Sequence, residues 1–199
     1  MKTLRIILAV CLGIWSIALN AQEKYSVSQL GDEVRPALLV IDIQNDFLPH
    51  MSEEDRKTAM DTINQAIAVF HARGLPVIRI YHHDAERGPH PGSEGFEFPK
   101  SVEFALIDPK VIKQYEDGFA KTCLDSLLRK FGVNLVFLCG LSATGCVLGT
   151  YFGALDHDYL AVMIGDGLIS PKTEHTAMIR EICRTVGLKT VRNMVNRKR

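Results

Sequence analysis

The sequence predicts a three-layer α/β domain, an open, doubly wound parallel sheet of about six strands with helices on both faces. Three observations carry that prediction. Uninterrupted apolar runs of strand length recur, ALLVIDI (37–43), NLVFLCG (134–140) and LAVMIGD (160–166), as in strands buried on both faces of a parallel sheet. Stretches with helical spacing stand between the strands, so strand and helix alternate in the manner of crossover units. No internal repeat or low-complexity tract competes with this order.

Taken along the chain, ALLVIDI is the first strand. Ser52 followed by Glu53, Glu54 and Asp55 marks a helix start with a capping box, and Met60, Ile63, Ile67 and Phe70 keep helical spacing until Gly74 and Pro76 end it. PVIRIYH (76–82) is the second strand. The segment from Asp84 to Pro109, rich in Gly and Pro, exceeds the ~12 to 15 residues at which structureless loops become uncommon. It reads as a lid or substrate-facing segment; the plainer alternative is a disordered excursion, because nothing in it forms a periodic apolar face. A short strand follows at VIK (111–113), then a helix from Lys121 to Phe131, the strand NLVFLCG and a helix after Cys146. The strand LAVMIGD, a helix opened by Ser170 and Pro171, and a last strand LKTVRN (188–193) complete the series.

The start of the chain has a different character. Lys2 and Arg5, an apolar run from Ile6 to Leu19 and the small residue Ala21 form the layout of a secretory signal peptide, with cleavage expected after Ala21. A retained anchor is the rival, but the run is shorter than the ~20 residues a spanning helix needs. Cys11 within it follows Val10, where a lipidation signal wants a small residue. The expected organisation is a leader over residues 1–21 and a single domain over 22–199, in an exported protein, periplasmic or secreted. The leader holds two of the 23 basic residues and none of the 23 acidic ones, so the mature chain has a formal charge of −2. Such a balance advertises neither nucleic acid nor, once the leader is removed, a membrane surface. The expected partners are a small-molecule substrate and further copies of the chain in a homo-oligomer.

Four cysteines remain, Cys123, Cys139, Cys146 and Cys183, at spacings that fit neither a disulfide framework nor a paired zinc motif. Cys139, inside LVFLC, and Cys183, among Met178, Ile179, Ile182 and Val186, read as buried apolar side chains. Cys146 stands where GLSATGC enters a helix, a place where backbone amides and the helix dipole favour a thiolate; a packed thiol at a Gly-rich turn is its plainer reading.

Open α/β sheets bind ligands beyond the carboxyl ends of their strands. Asp42, Lys113 and Cys146 all fall there, at the ends of the first and third strands and just past the fourth. A carboxylate inside ALLVIDIQ is costly to bury unless paired, so Asp42 is either a working group or half of a structural ion pair. A lysine near Cys146 would depress the thiol pKa below the ~8.5 of a free cysteine.

LLVIDIQNDF with Asp42, VIKQYEDGFAKTCLDSLL with Lys113 six residues before Phe119, and LVFLCGLSATGCVLGTYFGA with Cys146 together resemble the isochorismatase-like cysteine hydrolases, from about Ala37 to Asn193. The resemblance implies a strand order of 3-2-1-4-5-6 and a catalytic trio. Cys146 attacks an electrophilic carbonyl, Asp42 moves the protons, and Lys113 orients Asp42. It also implies an oxyanion hole from the backbone amides of Ser142 and Cys146, a cis peptide between Leu141 and Ser142, and a substrate pocket that includes Phe47 and Phe119. In that order the third strand lies ~10 Å from the first, a gap that the long Lys113 side chain has to bridge in part; a solvated surface lysine is the alternative. Ala143 and Thr144 stand where many relatives carry Thr-Asp or Thr-Glu, and Gly153-Ala154 where Asp-Ala is usual.

Nicotinamidase-type relatives hold a divalent metal with an Asp-x-His pair and a later His. Here the stretch reads His82, His83, Asp84 and then His90, without that spacing, so neither metal nor other cofactor is expected. A serine hydrolase is the rival enzyme, because GLSATG approaches the G-x-S-x-G elbow and Ser142, Asp166 and His175 follow in order; Thr144 replaces the second glycine. A non-catalytic binding protein is the rival from another class, and an intact Asp, Lys and Cys set argues against it. The function expected is hydrolysis of a small amide, ureide or carbamoyl compound through a thioester-like intermediate, with vinyl ether hydrolysis as the alternative reaction.

Overall fold

Six strands share one fully parallel sheet in the order β3-β2-β1-β4-β5-β6, in a computed structural model that describes residues 34–196. The strands are β1 (Pro36–Ile41), β2 (Val77–His82), β3 (Lys110–Lys113), β4 (Leu135–Gly140), β5 (Leu160–Leu168) and β6 (Thr185–Val186). Among the described residues there are five α-helices, α1 (Glu53–His71), α2 (Leu124–Lys130), α3 (Cys146–Asp156), α4 (Thr173–Ile182) and α5 (Leu188–Asn196). From Arg35 onward the chain is one compact unit. The expected leader lies outside the described residues, and no helix among these is long and apolar enough to cross a membrane.

Both faces of the sheet are covered, which is why its central strands are apolar at every position. Leu39, Ile41, Ile80 and Leu138 pack on one face with Leu124 and Leu128 of α2, Val147 and Tyr151 of α3 and Ile179 of α4. On the other face, Phe70 of α1 meets Phe137 of β4 edge to face at 5.9 Å. The Ser52 hydroxyl caps α1 by accepting from the Asp55 amide at 3.2 Å, with acidic residues in the first turn and His71 in the last, as the dipole favours.

Three boundaries depart from the pattern. β1 stops at Ile41 because Asp42 adopts φ +52°, which takes the chain out of the strand. α2 begins at Leu124 rather than Lys121, since Lys121 itself has φ +56° and cannot sit in a helix. LKTVRN, expected as the last strand, is part of α5: Leu188, Val191 and Val195 recur at helical spacing, Val191 and Val195 are buried, and the sixth strand is the short pair before it. Cys183 is half-buried, because Met178 and Ile182 around it face outward.

No helix or strand interrupts residues 83–109, yet the segment is tied down. The Asn45 and Asp46 amides donate to the carbonyls of Glu97 and Gly95, each at 3.0 Å. The Tyr81 ring stacks on Phe98 at 4.0 Å and on Phe96 at 5.1 Å, with the Lys110 ammonium 4.0 Å from its centroid. These contacts fold the segment back along the carboxyl end of β2 as a packed wall.

Candidate active site

The turns after β1 and β4 meet at one point of the sheet's carboxyl edge. Ile41 is the register partner of Gly140, and the Leu141 amide donates to the Ile41 carbonyl at 3.0 Å. Gly140 has φ +120°, and a Cβ there would stand 2.0 Å from that carbonyl oxygen, so only glycine permits the approach. Beyond it the Leu141–Ser142 peptide is cis and α3 starts at Cys146.

Lys113 crosses under β2 to reach this point. Its Nζ donates to Asp42 Oδ2 at 2.6 Å and faces His82 Nδ1 at 3.2 Å. The pair is sealed, with Lys113 and Asp42 side chains 0% and 2% exposed. A long flexible stem and a compact ammonium let lysine span the two-strand gap. The other carboxylate oxygen, Asp42 Oδ1, is buried without a hydrogen-bond partner. Asp42, His82 and Cys146 bring one oxygen, one nitrogen and the sulfur within 4.8 Å of one another.

Burial and charge set the protonation of this group. Burial raises the Asp42 carboxyl above its usual range, against the pull of Lys113, and so makes it a stronger base. Burial also lowers Lys113, but the Asp42 carboxylate and Cys146 outweigh it and hold the ammonium up. For Cys146, burial and then the Asp42 charge push the thiol up to about 12 despite Lys113. The expectation of a depressed thiol pKa is therefore corrected: desolvation and a neighbouring anion outweigh the helix start and the lysine.

Around the turn, the amides of Ala143, Gly145 and Val147 donate to Ile169, Ser142 and Ser142 carbonyls. Those of Ser142, Thr144 and Cys146 donate to no protein acceptor among the described residues. The Ser142 hydroxyl meets Thr144 and Ser170 at 3.4 Å, and not His175 or Asp166. Asp166 pairs instead with Arg180 on the surface. The serine-elbow arrangement is thus absent from the described residues.

Phe47 is half-buried with its ring 6.2 Å from that of His82, at the margin of the group. Phe119 is a core residue, stacked on His157 at 4.7 Å just past the end of α3, roughly 16 Å along the helix from Cys146.

Sequence reasoning missed Gln44, and it weighed His82 only within the histidine stretch tested for a metal. Gln44 is fully buried and clamps the main chain of His82, donating to its carbonyl at 3.0 Å and accepting from its amide at 2.7 Å. His82 is thereby fixed beside Lys113, its register partner on β3. The remaining candidates of that stretch turn elsewhere: Asp84 accepts from the Glu86 and Arg87 amides at 2.8 and 3.0 Å, and His83 faces the Pro89 carbonyl at 3.1 Å. The Lys113 ammonium already stands where a cation would meet Asp42 and His82.

The sequence profile of the isochorismatase domain matches residues 36–190. An isochorismatase-family protein of Bacillus subtilis is 30% identical over 135 residues, covering 65% of this chain and 75% of that protein. A probable inactive nicotinamidase of Arabidopsis thaliana is 27% identical over 178 residues, 77% of this chain and 90% of the relative. A streptothricin hydrolase of Streptomyces noursei is 32% identical over 67% of this chain and 54% of its own length. Among solved structures, an isochorismatase-like hydrolase from Alkaliphilus metalliredigens superimposes with a TM-score of 0.73 at 22% identity, over 81% of this chain and 99% of that one. N-carbamoylsarcosine amidase from Thermoplasma acidophilum does so with a TM-score of 0.68 at 24% identity, over 78% and 97%. With the profile spanning nearly all of the compact unit and the strand order in agreement, this chain belongs to the isochorismatase family of hydrolases.

Proposed function

We propose that the protein cleaves a small amide, ureide or carbamoyl compound by covalent catalysis on Cys146. One observation carries this reading: a buried lysine–carboxylate pair and a thiol converge at the carboxyl edge of the sheet, with one carboxylate oxygen left without a hydrogen-bond partner. The Cys146 sulfur attacks the substrate carbonyl while its proton passes to Asp42 Oδ1. The carbonyl oxygen gains the negative charge and meets the unused amides of Ser142 and Cys146. As the C–N bond breaks, Asp42 returns the proton to the departing amine and a thioester remains. Water then attacks the thioester, Asp42 takes the water proton, and the sulfur leaves and recovers that proton from Asp42. Lys113 keeps its charge throughout and steadies Asp42 in each protonation state. The raised thiol pKa suits a concerted transfer, in which the proton leaves only as the S–C bond forms.

The amide class is supported by the solved amidase of the same fold. The test is a turnover screen of amides, ureides, carbamoyl compounds and vinyl ethers with the mature protein and its Cys146→Ala variant. Release of an amine or ammonia by the parent and not by the variant supports the proposal. Binding without turnover by both would make the protein a non-catalytic receptor. Export belongs to the same proposal, on the strength of residues 1–21, and predicts a mature N-terminus at or near Gln22.

A further inference from the structure

We infer that His82 is a positioning residue of this site: its neutral ring takes one N–H of the Lys113 ammonium, so that the other two are directed at Asp42 and Cys146. The inference rests on the cysteine-hydrolase reading above for its catalytic consequence, and on geometry for its structure.

An ammonium has three donors and no acceptor, and a buried one needs all three engaged. Lys113 is sealed from solvent, so water cannot supply a partner. Asp42 Oδ2 takes one N–H at 2.6 Å and His82 Nδ1 faces another at 3.2 Å. The Cys146 sulfur lies within 4.8 Å of an Asp42 oxygen and a His82 nitrogen, and it acts on the same ammonium. Without His82 the ammonium would keep two acceptors and could swing about the Asp42 bond, and its hold on the sulfur would loosen.

The fold goes to some length to keep the ring there. His82 and Lys113 are register partners on adjacent strands, and the His83 amide donates to the Lys113 carbonyl at 2.9 Å. The buried Gln44 amide grips both the N–H and the C=O of His82. For Nδ1 to accept, the ring must carry its proton on Nε2 or, at least, none on Nδ1. The titratable groups that act on it are Lys113, Asp42, Asp84 and His83, with the Cys146 thiol beside them. Burial and then Lys113 keep the ring neutral, lowering its pKa from 6.5, against the pull of Asp42 and Asp84.

Acid should therefore break the arrangement. A proton on Nδ1 abolishes the acceptor and sets an imidazolium against the ammonium, so activity falls as pH drops through a value below 6.5. His82→Gln keeps a carbonyl acceptor that does not titrate, whereas His82→Leu keeps none.

The experiment combines two readouts. Nitrogen NMR of the histidine-labelled full-length protein needs no substrate and reads the ring directly: His82 should be the Nε2–H tautomer, titrate below 6.5, and move back toward 6.5 in Lys113→Met. An Nδ1–H tautomer, or a titration untouched by Lys113→Met, overturns the inference whatever the substrate proves to be. With an active substrate, His82→Leu should lower kcat ~10- to 100-fold with a smaller effect on KM, as for loss of a group that orients a working side chain. His82→Gln should recover most of that loss and lose the part of the acid limb that His82 sets, leaving only that of Asp42. An acid limb identical in His82→Gln and the parent, or a His82→Leu enzyme as fast as the parent, overturns it as well. If NMR finds the tautomer and no compound is turned over, the hydrolase reading fails and the contact stands.

Discussion

Lys113 Nζ lies 2.6 Å from Asp42 Oδ2 although the whole of β2 runs between the strands that carry them. Both side chains are out of water, so each is the other's main compensation for lost hydration. Lys113→Met should leave an uncompensated carboxylate and lower unfolding stability at neutral pH by about 3–5 kcal/mol. Adding Asp42→Leu to that variant should restore much of the loss while activity stays absent. Urea unfolding of the four proteins of this cycle checks it; additive effects would mean that the pair is not coupled.

The buried, protonated thiol should be slow toward alkylation. Iodoacetamide at neutral pH is expected to modify the exposed Cys123 first, Cys146 much later and the fully buried Cys139 last, as read by peptide mass spectrometry. The Cys146 rate should climb steadily into alkaline solution, because its thiolate becomes appreciable only near a pKa of about 12. Labelling of Cys146 ahead of Cys123 at pH 7 would show that the free thiolate is already populated.

Two glycines with positive φ should respond very differently to a methyl group. Gly74→Ala meets nothing within 4 Å and carries only the conformational cost at φ +62°, about 1 kcal/mol. Gly140→Ala drives Cβ against the Ile41 carbonyl at 2.0 Å and should cost more than ~3 kcal/mol or prevent folding. Thermal melts of the two variants decide it, and equal shifts would mean that the β1–β4 crossing can relax.

Exhaustive dialysis against a chelator should leave turnover unchanged, since the ammonium of Lys113 supplies the positive charge at Asp42. Loss of activity that zinc or manganese restores would place a metal in the reaction.

Much of this was legible in the sequence for a physical reason. Apolar runs such as ALLVI and LVFLC report burial on both faces, and a carboxylate or a thiol at their ends stands out against them. LKTVRN was misread because Leu188, Val191 and Val195 satisfy a helical period that a six-residue window hides. The packing of Phe119 against His157 was not legible, because nearness in sequence to Lys113 says nothing about which end of α3 it packs beneath. The part played by Gln44, and the place of His82 beside Lys113, could not be read: both depend on the register of β1, β2 and β3, which no single segment encodes. The segment after β2 was recognised as irregular, but its attachment through Tyr81, Phe96 and Phe98 needed the sheet to bring the rings together.

The seclusion of the Cys146 sulfur has a bearing on chemical durability. Peroxide, mixed disulfides and other oxidants consume thiolates, and attack is slow on a thiol kept protonated and half-covered. With four cysteines and no disulfide among the described residues, the protein keeps the Cys146 sulfur in the form that least invites sulfenic acid or cross-linking. In the reaction proposed above, a carbonyl compound seated beside Asp42 would draw the proton away, so the substrate itself would unlock a nucleophile that the solvent leaves alone.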